Sequence, residues 1–149
     1  MKNTTALEEK LGVIFSNKQL LLQALTHRSY LNENPDFELG HNERLEFLGD
    51  AVLELIVTEE LYKRFPDKPE GDLTSFRAAL VNAKMLAEVG ESIGLNNFLL
   101  LSRGETRDTG RARQVILANA CEAVVGAIYL DRGYDGAKGM IERVLMPRL

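Results

Sequence analysis

The stretch that most constrains the fold of this chain is residues 116–130, I-L-A-N-A-C-E-A-V-V-G-A-I-Y-L, in which Asn119 and Glu122 are the only strongly polar side chains. A helix that is apolar all round is normally buried, so the rest of the chain is expected to pack around this segment. Glutamate is seldom fully buried unless it is paired or coordinates something. Asn119 and Glu122 stand at i and i+3 and therefore share a helix face. Hard divalent cations such as Mg²⁺ and Mn²⁺ take oxygen ligands, and a second helix bringing another pair of oxygens would complete a site for one.

Residues 41–53, H-N-E-R-L-E-F-L-G-D-A-V-L, offer that second helix. At about 100° per residue, Glu43, Glu46 and Asp50 fall near roughly 0°, 300° and 340°, with Leu45, Leu48, Val52 and Leu55 expected on the opposite, core-facing side. Carboxylates crowded beside a core repel one another and lose hydration, so each must be protonated, paired or neutralised by a cation. The one base within the stripe, Arg44, points elsewhere on the helical wheel. Taken singly, each acid reads as an ordinary solvated residue or ion-pair member. Taken together, inside otherwise apolar helices, they point to a divalent metal.

These residues carry a family resemblance. H-N-E-R-L-E-F-L-G-D resembles the signature of the ribonuclease III endonuclease domain. The remaining motifs follow in order: A-L-T-H-R-S-Y at 24–30, R-F-P-x-x-x-E-G-D at 64–72, R-A-x-L-V at 77–81 and I-L-A-N-A-x-E-A-x-x-G-A-I-Y-L-D at 116–131. The resemblance spans essentially the whole chain. It implies an all-α, dimeric endonuclease-domain fold and a homodimer that cuts double-stranded RNA with Mg²⁺, or Mn²⁺ in its place. Glu46, Asp50, Asn119 and Glu122 are then the catalytic metal ligands, with Glu43 and Glu70 as accessory acids around the cleft. Phe47 is implied as an aromatic anchor inserted into the partner protomer. The implied reaction is in-line hydrolysis of a phosphodiester by metal-activated water, leaving 5′-phosphate and 3′-hydroxyl ends, in the processing of ribosomal RNA and other structured transcripts. Members usually have Asp where this chain has Asn119. An amide oxygen still ligates Mg²⁺ but brings no charge, so the alternative is a weakened or non-cleaving RNA-binding member of the fold.

A length of 149 residues fits one domain able to bury a substantial core. The resemblance implies that residues 1–149 are the endonuclease domain, without the double-stranded-RNA-binding domain that commonly follows it. The single cysteine, Cys121, forms no internal disulfide and reads as a small core residue. No signal peptide and no apolar run long enough to span a bilayer is evident, so a cytoplasmic protein without membrane partners is expected. A formal net charge of −4 argues against a general polyanion binder. Recognition of RNA then has to be local, and residues 102–113, S-R-G-E-T-R-D-T-G-R-A-R, supply Arg103, Arg107, Arg111 and Arg113. Alone they read equally well as a solvated loop; the resemblance favours RNA contact.

The periodicity predicts helices at 5–14, 18–26 with Asn17 as N-cap, and 42–64 ending before Pro66. Further helices are predicted at 71–93 with Gly94 as the stop, at 114–130 and at 135–145. Residues 31–41 read as a loop, and no alternating strand pattern is present. His27 and His41 read as capping or structural histidines, since neither has a nucleophile or second ligand at a suitable spacing.

Overall fold

The computed structural model describes residues 3–149 and places eight helices along them. These are α1 (Thr5–Leu11), α2 (Lys18–Ala24), α3 (Arg28–Glu33), α4 (Glu43–Arg64), α5 (Glu70–Leu80), α6 (Ala83–Ser92), α7 (Arg103–Arg107) and α8 (Arg111–Val144). Short 3₁₀ turns occupy Leu95–Asn97 and Met146–Arg148. The fold is all-α, as expected, and no strand forms among the described residues. One isolated parallel bridge, Thr26 to Leu100, ties the end of α2 to the segment before α7.

Several boundaries differ from those expected, and a short helix, α7, forms inside the Arg-rich segment expected as a loop. The single helix expected at 71–93 is two: α5 stops at Leu80, with Val81 as its C-cap, and Asn82 caps α6 by accepting the Met85 N–H at 2.9 Å. Asn82 is thus a helix start buried in what reads as a continuous pattern. Part of the expected loop at 31–41 belongs to α3, whose N-cap His27 accepts the Ser29 N–H through Nδ1 at 3.2 Å. The first helix ends at Leu11 rather than near 14, because Gly12 takes a left-handed conformation (φ 68°) that lets the chain turn and bury Val13 and Phe15.

α8 is the axis of the molecule, packed chiefly against α4 and α6 and then α2. It bends out of helical geometry at Gly133 (φ 71°), which separates the two segments that the sequence suggests. By length and composition Arg111–Arg148 could cross a membrane, contrary to expectation. In the fold, Ile116, Leu117, Val124 and Ile128 are buried against the neighbouring helices, the arrangement of a core helix. Cys121 lies buried on it, and burial pushes its thiol up to about 12. The core-facing side of α4 runs through Leu45, Val52, Leu53, Ile56 and Leu61. Leu55, expected on that side, is 58% exposed. α8 covers α4 from the Leu53 side, leaving Leu55 on an outer face with Phe47 and Tyr62.

The closest approach of α4 and α8 is backbone to backbone. A Cβ on Gly49 would stand 1.7 Å from the Glu122 carbonyl oxygen, and one on Gly126 would stand 2.4 Å from the Leu45 carbonyl oxygen. Only hydrogen fits at either position. The crossing point therefore determines which side chains of the two helices become neighbours.

Candidate active site

Glu46 and Asp50 flank Gly49 on α4, and Glu122 lies one turn before Gly126 on α8, so the glycine crossing brings the three acids together. Burial first, then the charges of Glu43 and Asp50, raise the Glu46 carboxyl above its ordinary range. Glu122 is pushed further, to about 8, by burial and by its contact with Asp50, with Glu46 adding repulsion. Mutual destabilisation of this kind is what unneutralised carboxylates produce when they share a desolvated site.

Asn119 and Glu46 line one cleft of about 310 Å³, together with His27, Arg28, Asn42 and Glu43. Glu43 sits at its exposed rim, with Oε2 3.3 Å from His41 Nε2. His41 Nδ1 also accepts the Glu43 N–H at 3.3 Å at the start of α4, and His27 caps α3, so both histidines hold helix starts. Burial, helped by Arg28 and His41, keeps His27 below its ordinary range against the opposing charges of Glu105 and Glu43. Asn42 is buried and donates to the Ala24 carbonyl at 2.9 Å, fastening α4 to α2.

Two expected residues lie apart. Glu70 opens α5 and lines a separate cleft with Thr58, Tyr62, Lys68 and Arg77, near the other end of α4. Within one chain it does not join the acids. Arg113, expected to meet RNA, is only 8% exposed and is spent internally. Its guanidinium donates to Asn96 Oδ1 at 2.7 Å and to the carbonyls of Glu105 and Thr106 at 2.8 and 3.1 Å. It anchors the segment that presents Arg103, Arg107 and Arg111, all of which are exposed. Arg28 and Asn42 line the cleft without having stood out by spacing; their sequence signals were the motifs A-L-T-H-R-S-Y and H-N-E-R-L-E-F-L-G-D, and His27, expected as a capping residue, lines it too.

The donor chemistry suits a hard divalent cation: carboxylate and amide oxygens, partly desolvated, with no Lys or Arg ion pair on Glu46, Asp50 or Glu122 among the described residues. As placed, no group of three or more His, Cys, Asp or Glu side chains among the described residues is arranged to hold an ion. The oxygens are gathered by the crossing without being closed around a centre.

Comparison with known proteins bears on the family and the fold. The sequence matches the Ribonuclease-III-like family over residues 17–149. It is 48% identical over 146 residues to ribonuclease 3 of Enterococcus faecalis, an alignment covering 98% of this chain and 64% of that protein. To ribonuclease 3 of Streptomyces coelicolor it is 51% identical over 143 residues, covering 96% of this chain and 51% of the relative. The chain thus spans between about half and two thirds of the length of these relatives. Its fold superposes on the nuclease domain of ribonuclease III from Campylobacter jejuni with a TM-score of 0.88 and 43% identity, covering 100% of this chain and 97% of that one. Dicer from Pichia stipitis is more distant, at a TM-score of 0.65 and 28% identity over 91% of this chain and 56% of that one. With a matching family profile, relatives at this identity and a shared nuclease-domain fold, the chain belongs to the ribonuclease-III-like family.

Proposed function

We propose that this chain is a divalent-metal-dependent endoribonuclease that hydrolyses double-stranded RNA as a homodimer. The observation that carries the reading is the glycine crossing of α4 and α8, which gathers Glu46, Asp50 and Glu122 beside the cleft that Asn119 lines. Mg²⁺, or Mn²⁺ in its place, would be held by Glu46, Asp50, Asn119 and Glu122. When bound, it supplies Lewis acidity toward the phosphoryl oxygens and lowers the pKa of the attacking water. Burial and the neighbouring Asp50 and Glu46 push Glu122 up to about 8, and a bound cation would favour its ionised form. Asn119 contributes an uncharged oxygen. Glu43 stands at the rim, and Arg103, Arg107 and Arg111 face solvent on the segment that Arg113 anchors. The products are 5′-phosphate and 3′-hydroxyl ends. No observation favours the non-cleaving alternative.

The dimer has its own support. Phe47 is 83% exposed, Leu55 58% and Tyr62 74%, all on one side of α4. Beside Phe47 lies an apolar hollow of about 580 Å³ lined by Leu20, Leu45, Leu48 and Leu130. A two-fold partner would place its own Phe47 in this hollow, an isologous contact. A Campylobacter jejuni nuclease-domain structure of TM-score 0.87 and 42% identity is described for flexibility in a region involved in dimer formation. The proposed setting is the cytoplasm, acting on ribosomal RNA precursors and other structured transcripts.

Incubation of the protein with long double-stranded RNA tests the reading. Fragments carrying 5′-phosphate and 3′-hydroxyl ends are expected with Mg²⁺ and none with excess chelator. Intact RNA in both tubes, or cleavage indifferent to the chelator, would contradict it.

A further inference from the structure

Arg28 is a cation on the wall of the acidic cleft, sharing that lining with Glu43, Glu46 and Asn119. It is exposed and belongs to none of the ion pairs or side-chain hydrogen bonds formed among the described residues, although two carboxylates line the same cleft. Its place in the fold gives no reason for a basic residue. It is the first residue of α3, where the helix dipole disfavours positive charge, and its exposed side chain fills no core space.

The backbone beneath it, by contrast, is firmly held. His27 Nδ1 meets Ser29 Oγ at 2.8 Å, and Ser29 Oγ accepts the Ser102 N–H at 3.0 Å, joining α3 to the start of α7. The Arg103 N–H donates to Glu33 at 3.1 Å, a second tie between the same elements. His27 is also joined to the segment before α7, since its N–H donates to the Leu100 carbonyl at 3.0 Å. An unpaired guanidinium on a fixed base, facing a cleft whose acids would be neutralised by metal, matches a phosphate: planar, two-pronged and always charged.

We propose that Arg28 is a substrate-binding residue that clamps a backbone phosphate of the RNA strand lying in this cleft. This rests on the nuclease reading above and extends it. Arg28 offsets the repulsion between the RNA backbone and Glu43 at the rim, and it fixes the strand relative to the ligands on α4 and α8. It acts on binding, while the chemistry stays with Glu46, Asp50, Asn119 and Glu122.

The test uses the 149-residue chain, a short double-stranded RNA and fixed Mg²⁺, with initial rates measured across a KCl series. For Arg28→Ala, loss of one charge-assisted contact raises KM about tenfold with kcat within about twofold of the wild type. Losing one neutralised phosphate also makes the plot of log(kcat/KM) against log[KCl] shallower by about one unit. Arg28→Lys keeps the charge without the fork, so it retains the wild-type salt slope and recovers part of the KM. Equal melting temperatures for the three proteins show that the fold is kept. If the wild type cleaves and Arg28→Ala has the wild-type KM and salt slope, the assignment of Arg28 falls and the nuclease reading stands. If kcat alone falls, Arg28 acts on the chemistry and the binding role is wrong. If the wild type cleaves nothing, both readings fall.

Discussion

At the scale of single residues, charge and its neutralisation explain most of what the structure shows. Glu8 is the clearest case outside the cleft. It is 4% exposed, yet its carboxylate takes the Phe15 N–H at 2.8 Å, Lys18 Nζ at 2.8 Å and the Thr4 hydroxyl at 3.2 Å. Burial alone would raise its pKa, but these donors together hold it below the ordinary value of 4.5. A depressed carboxyl contributes its full stability above the unfolded value and loses it as pH falls through the folded one. Glu8→Gln should therefore cost about 1–3 kcal/mol at pH 7, and the gap from wild type should begin to narrow near pH 4.5 and shrink steadily as pH falls further, through the lower folded value. Denaturant titrations across a series of pH values from 7 downward check this; a gap independent of pH would assign the loss to packing. In the cleft, Asn119→Asp adds the charge that the site lacks. The Mg²⁺ concentration giving half-maximal cleavage should then fall severalfold, and an unchanged titration would remove Asn119 from the ligand set. Sequence spacing revealed the acids because carboxylates are costly in apolar helices. The resemblance, not the spacing, put Arg113 with the RNA contacts; an arginine aimed at three internal oxygens and one aimed at solvent read alike in a string of letters.

At the scale of elements, the crossing of α4 and α8 decides everything near the cleft. Their apolar periodicity was legible, but the roles of Gly49 and Gly126 were not: close backbone approach is a property of two segments far apart in the chain. Gly49→Ala has to push a carbonyl aside or part the helices, so a loss of more than about 3 kcal/mol is expected, with cleavage falling alongside it. A melting temperature within a degree of wild type would mean that the helices do not meet as described. The α5–α6 break was hidden for a similar reason, since Leu80, Leu86 and Val89 continue an apolar pattern across it. Asn82→Ala removes the α6 cap and should cost about 1 kcal/mol, read as a shift in denaturant midpoint. Leu55 was misplaced because the wheel gives relative angles, while the core direction is set by whichever helix lies across it.

At the scale of the whole molecule, one chain presents an acidic cleft on one side of α4 and an exposed aromatic face on another. Phe47 and Tyr62 are large apolar groups left in water by a single copy, and such patches mark interaction surfaces. Phe47→Ala should move the sedimentation profile toward monomer at low micromolar concentration while the far-ultraviolet circular dichroism stays helical; a dimer as tight as wild type would exclude Phe47 as the anchor. The all-α class followed from periodicity, and the acids that the crossing gathers stood out by spacing and motif order, whereas the separation of Glu70 from them became visible only with the chain folded. The most direct test of the account is cleavage of long double-stranded RNA in Mg²⁺ by the wild type and by Glu122→Gln side by side. Fragments are expected from the wild type, and cleavage reduced at least about a hundredfold in a variant whose melting temperature is no lower. Wild-type rates from Glu122→Gln would contradict it.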